Sequence, residues 1–166
     1  MKTILTMLVL ALPLAAVAAD DPDASFYKNA AEAGISEVDL GNLAQQKGTS
    51  QDVKDFGNKM VTDHTAANQI LEALAATKNI TLPTSASVGD MATKAKLEVL
   101  SGDTFDKSYI KSQIKAHHEA IALFKKESTS GQDPEAKALA TATLPTLHEH
   151  LHMAYAAAKT LGVSSK

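Results

Sequence analysis

Three of the six histidines in this 166-residue chain stand at alternate positions in LPTLHEHLHMA, residues 144–154: His148, His150 and His152. A spacing of two suits one face of a strand, not one face of a helix. The Leu and Ala around them recur at steps of three and four, which is helical. Only one of the three can then share the apolar face, and Leu147, His150 and Ala154 mark that face. His148 and His152, four apart, fall together on a more exposed side, either as a surface metal clamp or as two solvated rings.

The same periodicity isolates one strongly polar residue on the apolar seam of each of four long segments. The seams read Phe26, Ala30, Ala33, Glu37, Leu40, Ala44; Val53, Phe56, Met60, His64, Ala67, Leu71, Leu74; Ile110, Ile114, His117, Ile121, Phe124; and Ala136, Ala140, Thr143, Leu147, His150, Ala154, Ala157, Leu161. The exceptions are Glu37, His64, His117 and His150. All four fall near mid-segment, within roughly two turns of one another at about 1.5 Å per residue. A buried carboxylate or imidazole needs a partner, so these four satisfy one another or bind something. One carboxylate and three imidazoles, one per helix, make a sensible ligand set for a divalent transition metal such as Zn, Cu, Fe or Ni. The competing reading is a structural Glu/His network that fixes the register of the bundle. A lone seam histidine is more often a satisfied core residue; convergence of four shifts that balance, and the sequence leaves both readings open.

The elements that position them are legible from caps and breakers. The first helix is expected from Ser25 to Lys47, stopped by Gly48. The second starts after the N-cap Ser50 and runs to Lys78, with Asn79 closing it. Residues 79–89, NITLPTSASVG, read as a loop, and a short helix is expected over Asp90–Leu100. The third long helix runs over Thr104–Ser128 with Asp103 as cap. The fourth follows Asp133-Pro134, a cap with Pro at the first helical position, and ends near Leu161. Two helical hairpins joined by roughly 25 residues imply an all-α four-helix bundle, with the long connection either crossing the length of the bundle or capping one end. TSQDVKDF and SGQDPEAKAL, which open the second and fourth helices, hint at a duplicated hairpin. Pro145 inside the fourth helix removes a backbone N–H and frees the Thr141 carbonyl.

Composition narrows the function. The opening MKTILTMLVLALPLAAVAAD carries Lys2, an apolar run from Ile4 to Leu14 and small residues before a cut after Ala18 or Ala19, the pattern of a secretory signal peptide. The expected organisation is a signal peptide (1–19), a polar leader (20–24), the bundle (25–161) and a tail (162–166), with a periplasmic or secreted location. No later apolar run approaches the ~20 residues a membrane span needs. There is no cysteine, which excludes disulfides, a lipoprotein anchor and thiolate metal sites. Without Lys2, 15 lysines face 19 acids, a formal charge of −4, and there is no arginine, which argues against nucleic acid as a partner. A metal ion or an envelope protein are the partners this leaves. No nucleophile elbow, phosphate loop, dinucleotide fingerprint or catalytic triad is present, and the reading leans away from an enzyme. A carboxylate di-iron bundle needs Glu-x-x-His on two helices and two more inward glutamates; only Glu149–His152 fits, since Asp63 directly precedes His64. His118 lies off the seam, and Asn68 stands one turn after His64.

Four stretches, SEVDLGNLA, MVTDHTAAN, FDKSYIKSQIKAHHEAIALF and LPTLHEHLHMA, in that order behind a signal peptide, resemble an exported bacterial family known as domain of unknown function 4142. The resemblance covers about residues 25–161. It implies a ferritin-like bundle with a single crossover. By matching motifs it carries over Glu37, His64, His117, His150 and the Leu144-Pro145 pair as characteristic positions. No substrate or reaction comes with it, and the shape alone does not imply iron storage.

Overall fold

The computed structural model describes residues 23–164; the signal peptide and residues 20–22 of the leader lie outside them. Five helices follow in order: α1 (Ala24–Lys47), α2 (Gln51–Thr77), α3 (Val88–Glu98), α4 (Gly102–Ser130) and α5 (Pro134–Thr160). The four long ones form the bundle. Among the described residues no helix is long and apolar enough to cross a membrane.

The helix ends show which local chemistry prevails. Asn79 and Gly162 both take left-handed backbone, with φ of 57° and 65°. Each closes its helix by a paired motif: Ile80 N–H bonds the Ala75 carbonyl and Asn79 N–H that of Ala76, while Val163 and Gly162 repeat the pattern on Ala158 and Lys159. Asp133 caps α5 by accepting from Glu135 N–H at 2.9 Å. Two expected caps are replaced. Ser50 stands at the N-cap of α2, but its side chain makes no capping bond. Instead the buried carboxylate of Asp106 on α4 accepts from Ser50 N–H at 2.7 Å and from Thr49 N–H at 3.0 Å. Helix α4 begins two residues early, because Gly102 accepts a φ of 55° and leads the chain in behind Ser101. Asp103 therefore sits in the first turn, favourably placed against the helix dipole. Helix α3 likewise starts early because Ser87 accepts from Asp90 N–H and donates to the Asp90 carboxylate.

Contacts at the two ends fix the topology. At one end Asp23 accepts N–H bonds from Gln132 and Asp133, Tyr27 donates to Asp133 at 2.7 Å, and Lys78 pairs with Asp133 and Glu135 at 2.8 Å. At the other, Asp106 holds the α1–α2 turn. The start of α1 therefore meets the end of α4, and the end of α2 meets the start of α5. Helices α2 and α4 run in the same direction on opposite corners, and each of α1/α2, α4/α5, α1/α4 and α2/α5 packs antiparallel. The 78–101 connection runs the length of the bundle, so the single-crossover alternative holds. Its helix α3 lies over α1 and α4, tied by Lys94 to Asp39 at 2.8 Å and anchored by the buried Leu97.

Helices α1 and α2 pack backbone against backbone at two glycines. A methyl group on Gly41 would stand 2.7 Å from the Gly57 carbonyl oxygen, and one on Gly57 would stand 2.8 Å from Ala44 Cβ. Apolar packing is split in two. Phe26, Tyr27, Ala30, Leu71, Ala75, Ala136 and Ala140 fill one end; Leu40, Val53, Phe56, Met60, Leu97, Phe105, Tyr109 and Ala154 fill the other. The third seam differs from its sequence pattern. Ile114, Ile121 and Phe124 are only partly buried, whereas Phe105, Tyr109 and Gln113 are fully enclosed. Helix α4 touches α1, α5 and α3, so its buried arc is wider than one stripe and is shifted toward α3.

Asp106 is 1 % exposed and serves two backbone donors of another hairpin. Removing it leaves both N–H groups without their acceptor, so Asp106→Ala is expected to lower stability by about 2–4 kcal/mol in urea titrations. An unchanged midpoint would mean the turn is held by other contacts.

Candidate metal centre

Between the two apolar clusters lies a polar layer. Glu37 arrives on α1, His64 on α2, His117 on α4 and His150 on α5. The three imidazoles converge: ring centroids lie 6.0 Å apart for His64–His117, 5.4 Å for His64–His150 and 5.4 Å for His117–His150. One nitrogen from each lies within 4.8 Å of the others. Glu37 Oε1 stands 3.8 Å from His117 Nδ1. The three histidines therefore meet in one place, and Glu37 stands beside them on the Nδ1 side of His117.

Two of the rings are oriented by what they already bond. His117 Nδ1 donates to the Gln113 carbonyl one turn back at 2.9 Å, leaving Nε2 as the lone-pair nitrogen. His150 Nε2 lies 2.8 Å from Asp63 Oδ2, and Asp63 is also held by Lys59 at 2.9 Å; the ring donates there and keeps its lone pair on Nδ1. His64 Nε2, His117 Nε2, His150 Nδ1 and Glu37 Oε2 are buried without a hydrogen-bond partner in the protein. A ring bonded through one nitrogen to a carboxylate or carbonyl, with the other nitrogen free toward its neighbours, is how metal-ligating histidines are commonly set.

The layer is electrically neutral at pH 7. Burial, helped by the neighbouring rings of His117 and His150, pulls the His64 imidazole down to about 3. Burial takes His117 to about 4, against the Gln113 carbonyl, and lowers His150 against the pull of Asp63. Burial raises Glu37 to about 8, partly offset by the Gln113 amide. Glu37 and His117 at 3.8 Å are thus a neutral acid beside a neutral ring. Asp63, pushed up by burial, is held below its usual value by Lys59 and His150.

A cleft of about 370 Å³ opens onto this layer, lined by Glu37, His64 and His117 and walled by residues of α1, α2, α4 and α5 with Ser87 and Asp90 at the start of α3. Asn68 lies in that wall, its Oδ1 1.9 Å from where a Gly34 side chain would begin. His148 and His152 are exposed, and His118 Nε2 pairs with Tyr155 Oη at 2.7 Å on the surface.

Two functional residues escape the seam reading. Asp63 sits beside the stripe on α2, yet its carboxylate reaches His150 on α5. The Lys59–Asp63 pair at i, i+4, ending one residue before a seam histidine, was the available signal. Gln113 is fully buried one turn before His117, and an i, i+4 Gln–His pair on one face could have marked it.

A family model described as "Domain of unknown function (DUF4142)" matches residues 11–157. No curated protein matches the chain. Among solved structures, a DUF305 protein from Streptomyces coelicolor superposes with a TM-score of 0.75 at 15 % identity, over 90 % of this chain and 99 % of that one. CopM superposes with a TM-score of 0.69 at 16 % identity in both its Cu(I)-bound and Ag-bound forms, over 83 % of this chain and 96 % and 95 % of those chains. At this identity the likeness is one of fold.

The pKa shifts set the pH response of the metal-free protein. Burial takes His64 and His117 to about 3 and 4 in the folded chain, against an ordinary imidazole value of 6.5. Between those values the unfolded chain binds more protons, so their contribution is complete above pH 6.5 and is lost as pH falls toward 4. Glu37 titrates at about 8 folded, against 4.5; its contribution is complete below pH 4.5 and is lost as pH rises to 8. Two protons against one give a stability maximum near pH 6.5, falling by about 1–2 kcal/mol toward pH 8 at roughly 1.4 kcal/mol per unit. Urea titrations across pH 4.5–8.5 should show that peak, and Glu37→Gln should abolish the alkaline fall; a flat profile above pH 6.5 would exclude a buried neutral Glu37.

Proposed function

The chain belongs to the domain of unknown function 4142 family, and from that premise we propose that it is an exported helical bundle that binds one divalent first-row transition-metal ion. His64, His117 and His150 supply the nitrogens and Glu37 an oxygen. The observation that carries this reading is the set of leftover atoms. A self-sufficient polar network would pair its members, but here each histidine has one bonded nitrogen at most and one that finds no partner. Each buried polar atom left unmatched costs about 1–3 kcal/mol. A metal removes that cost at once, because neutral imidazoles are the form that coordinates and the protons are already off.

For the three imidazoles the geometry requires only a small adjustment. At a metal–nitrogen distance of about 2.0–2.1 Å, tetrahedral ligands stand roughly 3.4 Å apart, so nitrogens within 4.8 Å of one another need to close by at most about 1.4 Å, while Glu37, whose Oε1 faces His117 Nδ1 at 3.8 Å, has to turn toward them. CopM, of the same fold, has Cu(I)- and Ag-bound forms, which supports a metal-binding reading. The donors here are imidazole and carboxylate with no thiolate anywhere in the chain, which favours Zn²⁺, Cu²⁺, Ni²⁺ or Co²⁺ over the softer monovalent ions. Asp63 and the Gln113 carbonyl act as positioning groups behind His150 and His117. The signal-peptide pattern at residues 1–19 supports a periplasmic or secreted setting.

Untagged protein titrated with these four ions and with Ag⁺ is expected to take up one divalent ion per chain. The His64→Ala/His117→Ala double variant should take up none, and Asp63→Asn should bind about 10–100-fold more weakly. Because the rings are neutral well below pH 6.5, binding should persist to about pH 5. Full stability with no uptake of any ion would leave the layer a structural network and sink the proposal.

A further inference from the structure

The cleft beside the histidines has a composition of its own. Its acidic lining side chains are Glu32, Asp90, Glu119 and the neutral Glu37, with no lysine among the lining residues. They form a gradient of depth: Glu119 is exposed, Glu32 and Asp90 are partly buried, and Glu37 is buried at 6 % exposure with Oε2 unpartnered next to His117. Lysines reach this set only from outside. Lys28 lies 4.0 Å from Glu32 and Lys115 lies 2.8 Å from Glu119, with their own side chains 63 % and 75 % exposed; such surface pairs are weak and leave most of the field in place. Ser87 Oγ donates to Asp90 and leaves its charge intact. His150 and Asp63 do not line the cleft, so the layer is reached from the His64–His117 side.

Resting on the metal reading above, we propose that this cleft is a loading vestibule, which admits a hydrated divalent cation, holds it on carboxylate oxygens and passes it to the imidazoles. The size fits. A volume of about 370 Å³ is roughly a dozen waters at about 30 Å³ each, twice what a cation with six waters needs. Oxygen donors let an ion keep much of its water, and late transition metals bind more strongly to imidazole than Mg²⁺ or Ca²⁺ do. The vestibule therefore accepts any divalent cation, while the inner nitrogens retain only those that favour nitrogen. Carboxylates set in otherwise apolar walls of low dielectric concentrate cations and raise the association rate.

The test is stopped-flow uptake of Co²⁺, followed by its visible absorption. The isosteric double variant Glu32→Gln/Glu119→Gln touches neither the imidazoles nor Glu37, and its association rate is expected to fall about 3–10-fold at low salt. The difference should close at about 0.5 M salt, with dissociation little changed. Ala120→Phe narrows the vestibule, and should slow association and dissociation together with affinity unchanged. Wild-type kinetics in both variants would mean the ion reaches the histidines by another route, overturning the vestibule while the metal centre stands. No uptake of Co²⁺ by the wild-type chain would overturn both.

Discussion

A four-helix bundle is ordinarily held by one continuous apolar core, and this one is interrupted at mid-height. Three imidazoles and a carboxyl group take the place of a hydrophobic layer, enclosed above and below by clusters that do not share members. Burying such groups is tolerable only if they are neutral, oriented and few. Much of the rest follows from meeting those conditions: burial removes the imidazolium charges, Asp63 and the Gln113 carbonyl fix two of the rings, and small residues such as Gly41 and Gly57 draw α1 and α2 together beside the layer.

With so much polarity in the middle, the ends have to hold the bundle in register. They do it with carboxylates aimed at backbone donors. Asp106 gathers the α1–α2 turn, and Asp23 does the same for the α4–α5 turn at the opposite end. The two devices are alike in kind: an acid from one hairpin satisfies the exposed N–H groups of the other. Each hairpin therefore clips its partner, and the mid-height groups are registered from both sides.

The broad fold was legible because it rests on local signals. Apolar spacing, Asn79, the Asp133-Pro134 pair and the glycine stops gave five helices to within a residue or two, and matching distances from the turns placed Glu37, His64, His117 and His150 at one level. What escaped depends on packing between elements. The buried arc of α4 is widened by α3, which no pattern within α4 reveals. Asp63 looks like half of a surface pair until α5 is laid beside it. Asp106 carries no mark of its role in the local sequence, because it serves a turn more than fifty residues away in the chain. Asp23, read as part of a polar leader, is buried for the same reason: its partners lie in the α4–α5 turn.

The four central side chains come from four different helices, separated by most of the length of the folded domain. No fragment that lacks one of these helices brings the four side chains together. The pocket comes into being only when the final helix docks. Under the metal reading proposed above, uptake therefore follows folding and cannot template it.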